Sequence, residues 1–281
     1  NVNPLYTARE LEHQLNDSGA KAIVIIENFA ATLAACLGQT PVKHIVLASM
    51  GELLPWPKRW LVNYVVRHVK KLVPPFELPS AVRFADAVHQ GRALSFKPVD
   101  IGPDDMAVLQ YTGGTTGVSK GAVLLHRNVL ANVLQSEAWD APVMHRIPAG
   151  EQPTAVCALP LYHIFAFTVN MMLSLRSGGK NILIPNPRDL PAVFKALKGQ
   201  TFHSFPAVNT LFNGLLHHPE FGSVDWSHLK VSIGGGMAVQ AAVAKLWLER
   251  TGCPICEGYG LSETSPSASC NPVTVTAFSG S

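Results

Sequence analysis

Between Tyr111 and Gly121 the chain reads Tyr-Thr-Gly-Gly-Thr-Thr-Gly-Val-Ser-Lys-Gly. These residue types in this order suit a polyphosphate. Gly113, Gly114 and Gly117 remove side chains and permit positive φ, so backbone N–H groups can face an anion closely. Thr112, Thr115 and Thr116 add hydroxyl donors, and Lys120 adds a point charge. An ordinary P-loop would read GxxxxGK[ST] and open a helix. Here Gly121 follows Lys120, and Ala122–Leu125 has the composition of a strand, so the loop is expected between two strands. A plain Gly/Thr hairpin would explain the glycines but not the interleaved hydroxyls and lysine.

Three further segments carry groups that could do chemistry. His163 sits inside Leu159-Pro-Leu-Tyr-His-Ile-Phe-Ala166, an aromatic-rich apolar run. Taken alone, it fits a core histidine with a satisfied hydrogen bond. Gly234, Gly235 and Gly236 follow an apolar run, where they could admit a flat ligand or simply turn a strand into a helix. Tyr259, Gly260, Ser262 and Glu263 lie in Glu257-Gly-Tyr-Gly-Leu-Ser-Glu-Thr-Ser-Pro266. Glu263 on its own could be a solvated loop glutamate.

Together these segments resemble the signatures of the adenylate-forming superfamily. Residues 111–121 are similar to its YT(S/G)GTTGxxKG motif, with Gly113 where many members have Ser. Residues 159–163 resemble its (L/A)P(L/M)(Y/F)H motif. Residues 257–263 resemble EGYGxTE, with Ser262 where Thr is usual. The resemblance extends along nearly the whole chain, through Asn3-Pro-Leu-Tyr-Thr7, Asn186-Pro-Arg-Asp189 and Val208-Asn-Thr-Leu-Phe-Asn213, toward the bacterial long-chain fatty-acid–CoA ligases.

That resemblance implies a reaction in two halves. A fatty-acid carboxylate attacks the α-phosphate of ATP and releases pyrophosphate; CoA then displaces AMP. It further implies Thr112 and Glu263 on Mg²⁺, and Thr115, Thr116, Gly117 and Lys120 on the β- and γ-phosphates, with Gly113 and Gly114 in the same loop. Gly234, Gly235, Gly236, Tyr259 and Gly260 are implied at the adenine, Ser262 at the α-phosphate and His163 at the acyl carboxylate. His163, Lys120 and Glu263 are the residues expected to serve the chemistry most directly. Members of the superfamily go on to a ribose-binding aspartate, a hinge and a small C-terminal domain with a catalytic lysine. None has a candidate here, and both ends read as cuts through a longer protein, so this piece alone is expected not to make acyl-CoA.

Positioning these groups requires alternating strands and helices. Ala22–Glu27, His44–Ser49, Met106–Tyr111, Ala155–Leu159, Asn181–Pro185, Phe202–Phe205 and Lys230–Ile233 read as strands, several apolar on both faces as buried parallel strands are. Thr7-Ala-Arg-Glu10 has the form of a capping box, with Gly19 as a stop. Asp189-Leu-Pro191 opens a second helix that Gly199 closes, and Ala238–Arg250 is a third, ending at Gly252. The expected fold is therefore α/β, mostly parallel sheets flanked by helices, in two subdomains. The expected division is 1–100 and 101–281, with Pro98–Asp105 as the linker.

Composition narrows the classes. With 47% hydrophobic and 15% charged residues, the 281-residue chain can bury a substantial core. A net charge of +3 is too small for a nucleic-acid partner. Five scattered cysteines suit a reducing compartment, and Cys253-Pro-Ile-Cys256 has no second pair for zinc. No run reaches the roughly 18 apolar residues of a spanning helix. The expected location is the cytoplasm, with a peripheral contact at the inner membrane surface through 56–73. There Leu61, Val62, Val65, Val66, Val69, Leu72 and Val73 recur at helical spacing opposite Lys58, Arg59, Arg67, Lys70 and Lys71. An ordinary surface helix packed on the core is the alternative. A homodimer is among the expectations. Rival functions are activation of an aryl or amino acid, a non-catalytic nucleotide binder that kept the fold, and a membrane adaptor.

Overall fold

In the computed structural model of the chain, which describes residues 1–112 and 118–280, the Thr7 hydroxyl accepts from the Glu10 N–H while the Glu10 carboxylate accepts from the Thr7 N–H. The expected capping box thus opens α1 (Ala8–Asp17), and Gly19 leaves it at φ +62°. The described residues form two compact units: Val2–Ile101 with 118–121, and Gly102–Thr112 with 122–280.

The first unit is built on β1 (Ala22–Ile26), β2 (His44–Ala48) and β3 (Ala81–Arg83), all parallel in that order. Helices α1, α2 (Ala30–Cys36), α3 (Lys58–Tyr64) and α4 (Phe84–Arg92) accompany them. Leu11, Leu15, Leu33, Ile45 and Leu47 form its core. Glu27, only 2% exposed, is held by Arg67 through two nitrogens at 2.9 Å each, with Arg83 at 3.4 Å. A buried carboxylate requires such pairing.

The apolar residues expected on one face along 56–73 do not all share it. After α3 the chain widens into a π turn over Val65–Val69, which shifts the helical phase. Val66 is buried, but Leu61, Val69 and Leu72 face outward together with Trp56 (83% exposed) and Trp60 (62%). Arg67 and Arg59, read as members of the basic face, instead bind Glu27 and Glu52.

The ribbon β4 (Met106–Thr112) and β5 (Lys120–Leu125) brackets the glycine-rich stretch between two strands, and β4 with Ala122–Leu125 belongs to the second unit. The 19-residue α5 (His126–Met144) follows. Then come β6 (Thr154–Cys157), α6 (Ile164–Ala166), α7 (Leu173–Ser177), β7 (Lys180–Leu183), α8 (Leu190–Leu197), β8 (Ser204–Ala207), α9 (Asn209–Leu216), β9 (Val231–Gly234), α10 (Ala241–Thr251), β10 (Ile255–Gly260) and β11 (Ser267–Cys270). A π turn over Phe167–Met172 joins α6 to α7.

The six-stranded sheet runs β7-β6-β8-β9-β10-β11, parallel except for the last, antiparallel pair. Its core is an aromatic cluster of Phe202, Phe205, Phe212, Trp226 and Trp247. Asp189 caps α8 through the Ala192 N–H, and Gly252 ends α10 at φ +71°. Among the described residues no helix is long and apolar enough to cross a membrane.

Candidate active site

In an open parallel sheet, ligands bind beyond the carboxyl ends of the strands. Here those ends deliver six of the expected residues to one cleft of about 430 Å³ within the second unit, and Thr112, Lys120, Gly234 and Glu263 are not among its lining residues. The chain leaving β6 supplies His163, the end of β9 supplies Gly235 and Gly236, and the end of β10 supplies Tyr259, Gly260 and Ser262.

His163 stands immediately before α6, where its Nδ1 accepts the Phe165 N–H at 3.3 Å. Burial lowers the pKa of the ring. The imidazole is therefore neutral near pH 7, with its proton on Nε2, and offers a single N–H donor to the cleft.

Two glycines are required by close approach. A Cβ on Gly235 would come within 2.9 Å of the Phe165 ring, and one on Gly260 would land on the Pro266 carbonyl oxygen. Gly260 therefore lets β10 and β11 turn back on each other, leaving the Tyr259 ring 64% exposed. Gly234, expected beside the adenine, is buried behind the wall instead, where a Cβ would strike Val239 and Ile255.

Ser262 and Glu263 occupy a 3₁₀ turn over Ser262–Thr264, against which β4 packs. That brings the strand ending at Thr112 to the turn that carries Glu263. The turn is fixed from two sides: Asn132 of α5 donates to the Thr264 and Ser267 carbonyls, and the Thr168 hydroxyl donates to the Ser265 carbonyl at 3.0 Å. Glu263 is exposed and makes no hydrogen bond or ion pair among the described residues. A lone free carboxylate suits Mg²⁺, which keeps several waters and takes few protein ligands. Lys120 heads β5 with its side chain exposed. Gly113, Gly114, Thr115, Thr116 and Gly117 lie outside the described residues.

The sequence reading missed one wall entirely. Helix α5 contributes Gln135, Ser136, Trp139 and Asp140 to the cleft. The usable signal was Asn128, whose side chain accepts the Leu125 N–H at the start of the helix. Burial, with Glu137 adding repulsion, pushes Asp140 up to about 7.

Two other clusters offer no chemistry of their own. Burial pushes Cys256 up to about 12 and Cys270 up to about 11, so neither is a thiolate at neutral pH. Glu151, His203 and His228 stand close enough to suggest a metal. The His203 Nδ1 already accepts the Thr154 N–H, however, so its Nε2 carries the proton and donates to Glu151 at 3.1 Å. No lone pair remains on that ring for an ion.

The AMP-binding enzyme family matches residues 1–280, and the chain belongs to that family. Within it, the chain is 52% identical over all 281 of its residues to the long-chain-fatty-acid–CoA ligase of Escherichia coli O157:H7, covering 49% of that protein. It is 34% identical over 267 residues to the Bacillus subtilis (strain 168) protein of the same name, covering 46% of it. The chain thus spans about half the length of the curated relatives it matches. Among solved structures, an anthranilate CoA ligase in complex with anthranoyl-AMP shares the fold with TM-score 0.76 at 20% identity, over 96% of this chain and 46% of that one. A long-chain-fatty-acid–CoA ligase from Archaeoglobus fulgidus does so with TM-score 0.65 at 23% identity, over 100% of this chain and 52% of that one.

Proposed function

We propose that the full-length protein activates a long-chain fatty acid with ATP, releasing pyrophosphate, and transfers the acyl group from the adenylate to CoA. The convergence of His163, Gly235, Gly236, Tyr259 and Ser262 on one cleft at the carboxyl edge of the sheet carries this reading. Attack of one anion on another is slow unless the charges are offset and the reactants oriented.

On this reading the Nε2–H of His163 donates to the acyl carboxylate and aims it at the α-phosphate. The exposed Tyr259 ring lies against the adenine, and the Ser262 hydroxyl donates to the α-phosphate. Thr112 and Glu263 would hold Mg²⁺, which when bound offsets phosphate charge. Lys120 and the glycine–threonine loop would hold the β- and γ-phosphates. The apolar part of the cleft, including Phe165, Val169 and Leu173, would take the beginning of the acyl chain.

ATP–pyrophosphate exchange by the full-length protein, with carboxylic acids of graded length, tests the reading. Long aliphatic acids should support exchange at least tenfold better than aryl or amino acids. Exchange with none of them, or best with an aryl or amino acid, would overturn it.

A peripheral membrane contact is a second proposal, favoured by the outward-facing Trp56, Trp60, Leu61 and Leu72 beside Lys58, Lys70 and Lys71. Aromatic and aliphatic side chains insert at the headgroup level while lysines meet anionic lipid. Serine at Trp56, Trp60 and Leu61 should reduce sedimentation with anionic vesicles at least fivefold and leave pyrophosphate exchange unchanged. Equal sedimentation of both proteins would exclude this surface.

A further inference from the structure

Asp140 is an acid in the wall of the cleft, and the adenylation chemistry gives it no task. Its place follows from two clamps between α5 and the segment from Ser267 to Asn271. At one end Asn132 and Ser267 exchange side-chain and backbone hydrogen bonds of 2.9 and 3.3 Å. At the other the Trp139 indole N–H donates to the Asn271 carbonyl at 3.0 Å. At the helical rise, the seven residue steps from Asn132 to Trp139 span about 10 Å.

The opposite wall follows the same direction. Thr168 ties its near end to the Ser265 turn, and Arg176 ties its far end to Glu137 of α5 at 3.2 Å. Asp140, one residue beyond Trp139, therefore belongs to the end of the cleft remote from Ser262. A ligand whose carboxylate sits at His163, beside an α-phosphate held by Ser262, presents the distal part of its chain there.

The polar neighbours of Asp140 on α5 are already engaged. The Ser136 hydroxyl donates to the Asn132 carbonyl, the Gln135 side-chain oxygen accepts from Asn132, and Trp139 uses its N–H on Asn271. Glu137 is paired with Arg176. The Asp140 carboxyl makes no hydrogen bond or ion pair among the described residues, yet it is largely removed from water and pushed up to about 7. A plain alkyl chain offers such a group nothing and deprives it of the water that remains. A hydroxyl group satisfies it in either protonation state.

We propose that Asp140 is a specificity-determining residue that takes a hydrogen bond from a hydroxyl on the distal part of the acyl chain, so that the protein prefers hydroxylated fatty acids to plain ones of equal length. This rests on the fatty-acid reading of the same cleft. A site built around a hydrogen bond rejects the analogue that lacks it far more strongly than an apolar pocket rejects an added group.

The test compares kcat/KM for adenylate formation by the full-length protein with hexadecanoic acid and a series of hydroxyhexadecanoic acids. The hydroxyl is moved along the chain, and the wild type is compared with Asp140→Leu and Asp140→Asn. The wild type should favour one hydroxyl position on the distal part of the chain at least tenfold. Asp140→Leu should abolish that preference by improving the plain acid and weakening the hydroxy acid, while Asp140→Asn, still an acceptor, should keep part of it. A wild-type ratio near one at every hydroxyl position overturns the proposal, even if neither variant folds; so does a preference that Asp140→Leu leaves intact. Activation of no acid at all would instead sink the fatty-acid reading itself.

Discussion

Replacing Glu263 with glutamine in the full-length protein is expected to slow adenylate formation on the order of 10²–10³-fold, the scale of losing one preorganised electrostatic contact to a developing charge. Among the described residues the exposed side chain supports nothing else: it caps no helix and pairs with no group there. Surface changes of this kind stay within about 0.5 kcal/mol in stability, so the variant should unfold with the wild type. Glutamine keeps the shape and the oxygen but loses the charge that a divalent cation needs. Pyrophosphate exchange at saturating ATP reads the chemical loss, and a magnesium titration should shift to higher concentration. Exchange within twofold of wild type would remove Glu263 from the metal.

The largest expected effect on stability is at Trp247. Alanine there should cost about 3–5 kcal/mol, the range for truncating a buried aromatic. The indole is fully buried, stacked on Phe205 with ring centroids 5.8 Å apart and edge-on to Phe212 at 4.7 Å and Trp226 at 5.1 Å. Its N–H donates to the Ser232 hydroxyl at 3.0 Å. Alanine therefore opens a cavity in the aromatic cluster and leaves a buried serine without its donor. Because α10 packs on β10, the loss also reaches the strand that carries Tyr259. Equilibrium denaturation in urea should show a lower midpoint with an unchanged slope. Phenylalanine, which keeps most of the packing, should recover more than half of the loss.

Most of the parallel sheet was legible because its strands are short apolar runs, as in Ala22–Ile26 and Val231–Gly234. The boundary failed at β8, which occupies Ser204–Ala207 rather than Phe202–Phe205; Phe202 is just as buried but packs on Trp226 ahead of the strand. The long α5 escaped because its apolar residues do not share a face: Val129 and Val133 are buried while Leu130 and Leu134 are exposed. Segments β10 and β11 were hidden by Gly258, Gly260 and a run of small residues that read as loop. Glycine there serves backbone contact, not flexibility.

The helical spacing expected along 56–73 differs from the structure for a related reason. Helical spacing was read across Val65–Val69, where the wider turn breaks the phase. Motif chemistry located His163, Gly235, Tyr259 and Ser262 without any knowledge of helix α5. Asp140 belongs to no motif and emerged only when the strands and helices were assembled around it.

The hydrogen bond from the Phe165 amide to His163 Nδ1 has a consequence for how protons move in this site. One ring nitrogen is occupied by the backbone and the other already bears hydrogen, so the imidazole has no vacancy in which to receive a proton during turnover. On the proposed reading it would act as a fixed electrostatic finger and not a courier, and any proton exchanged with solvent in that reaction would travel by another route.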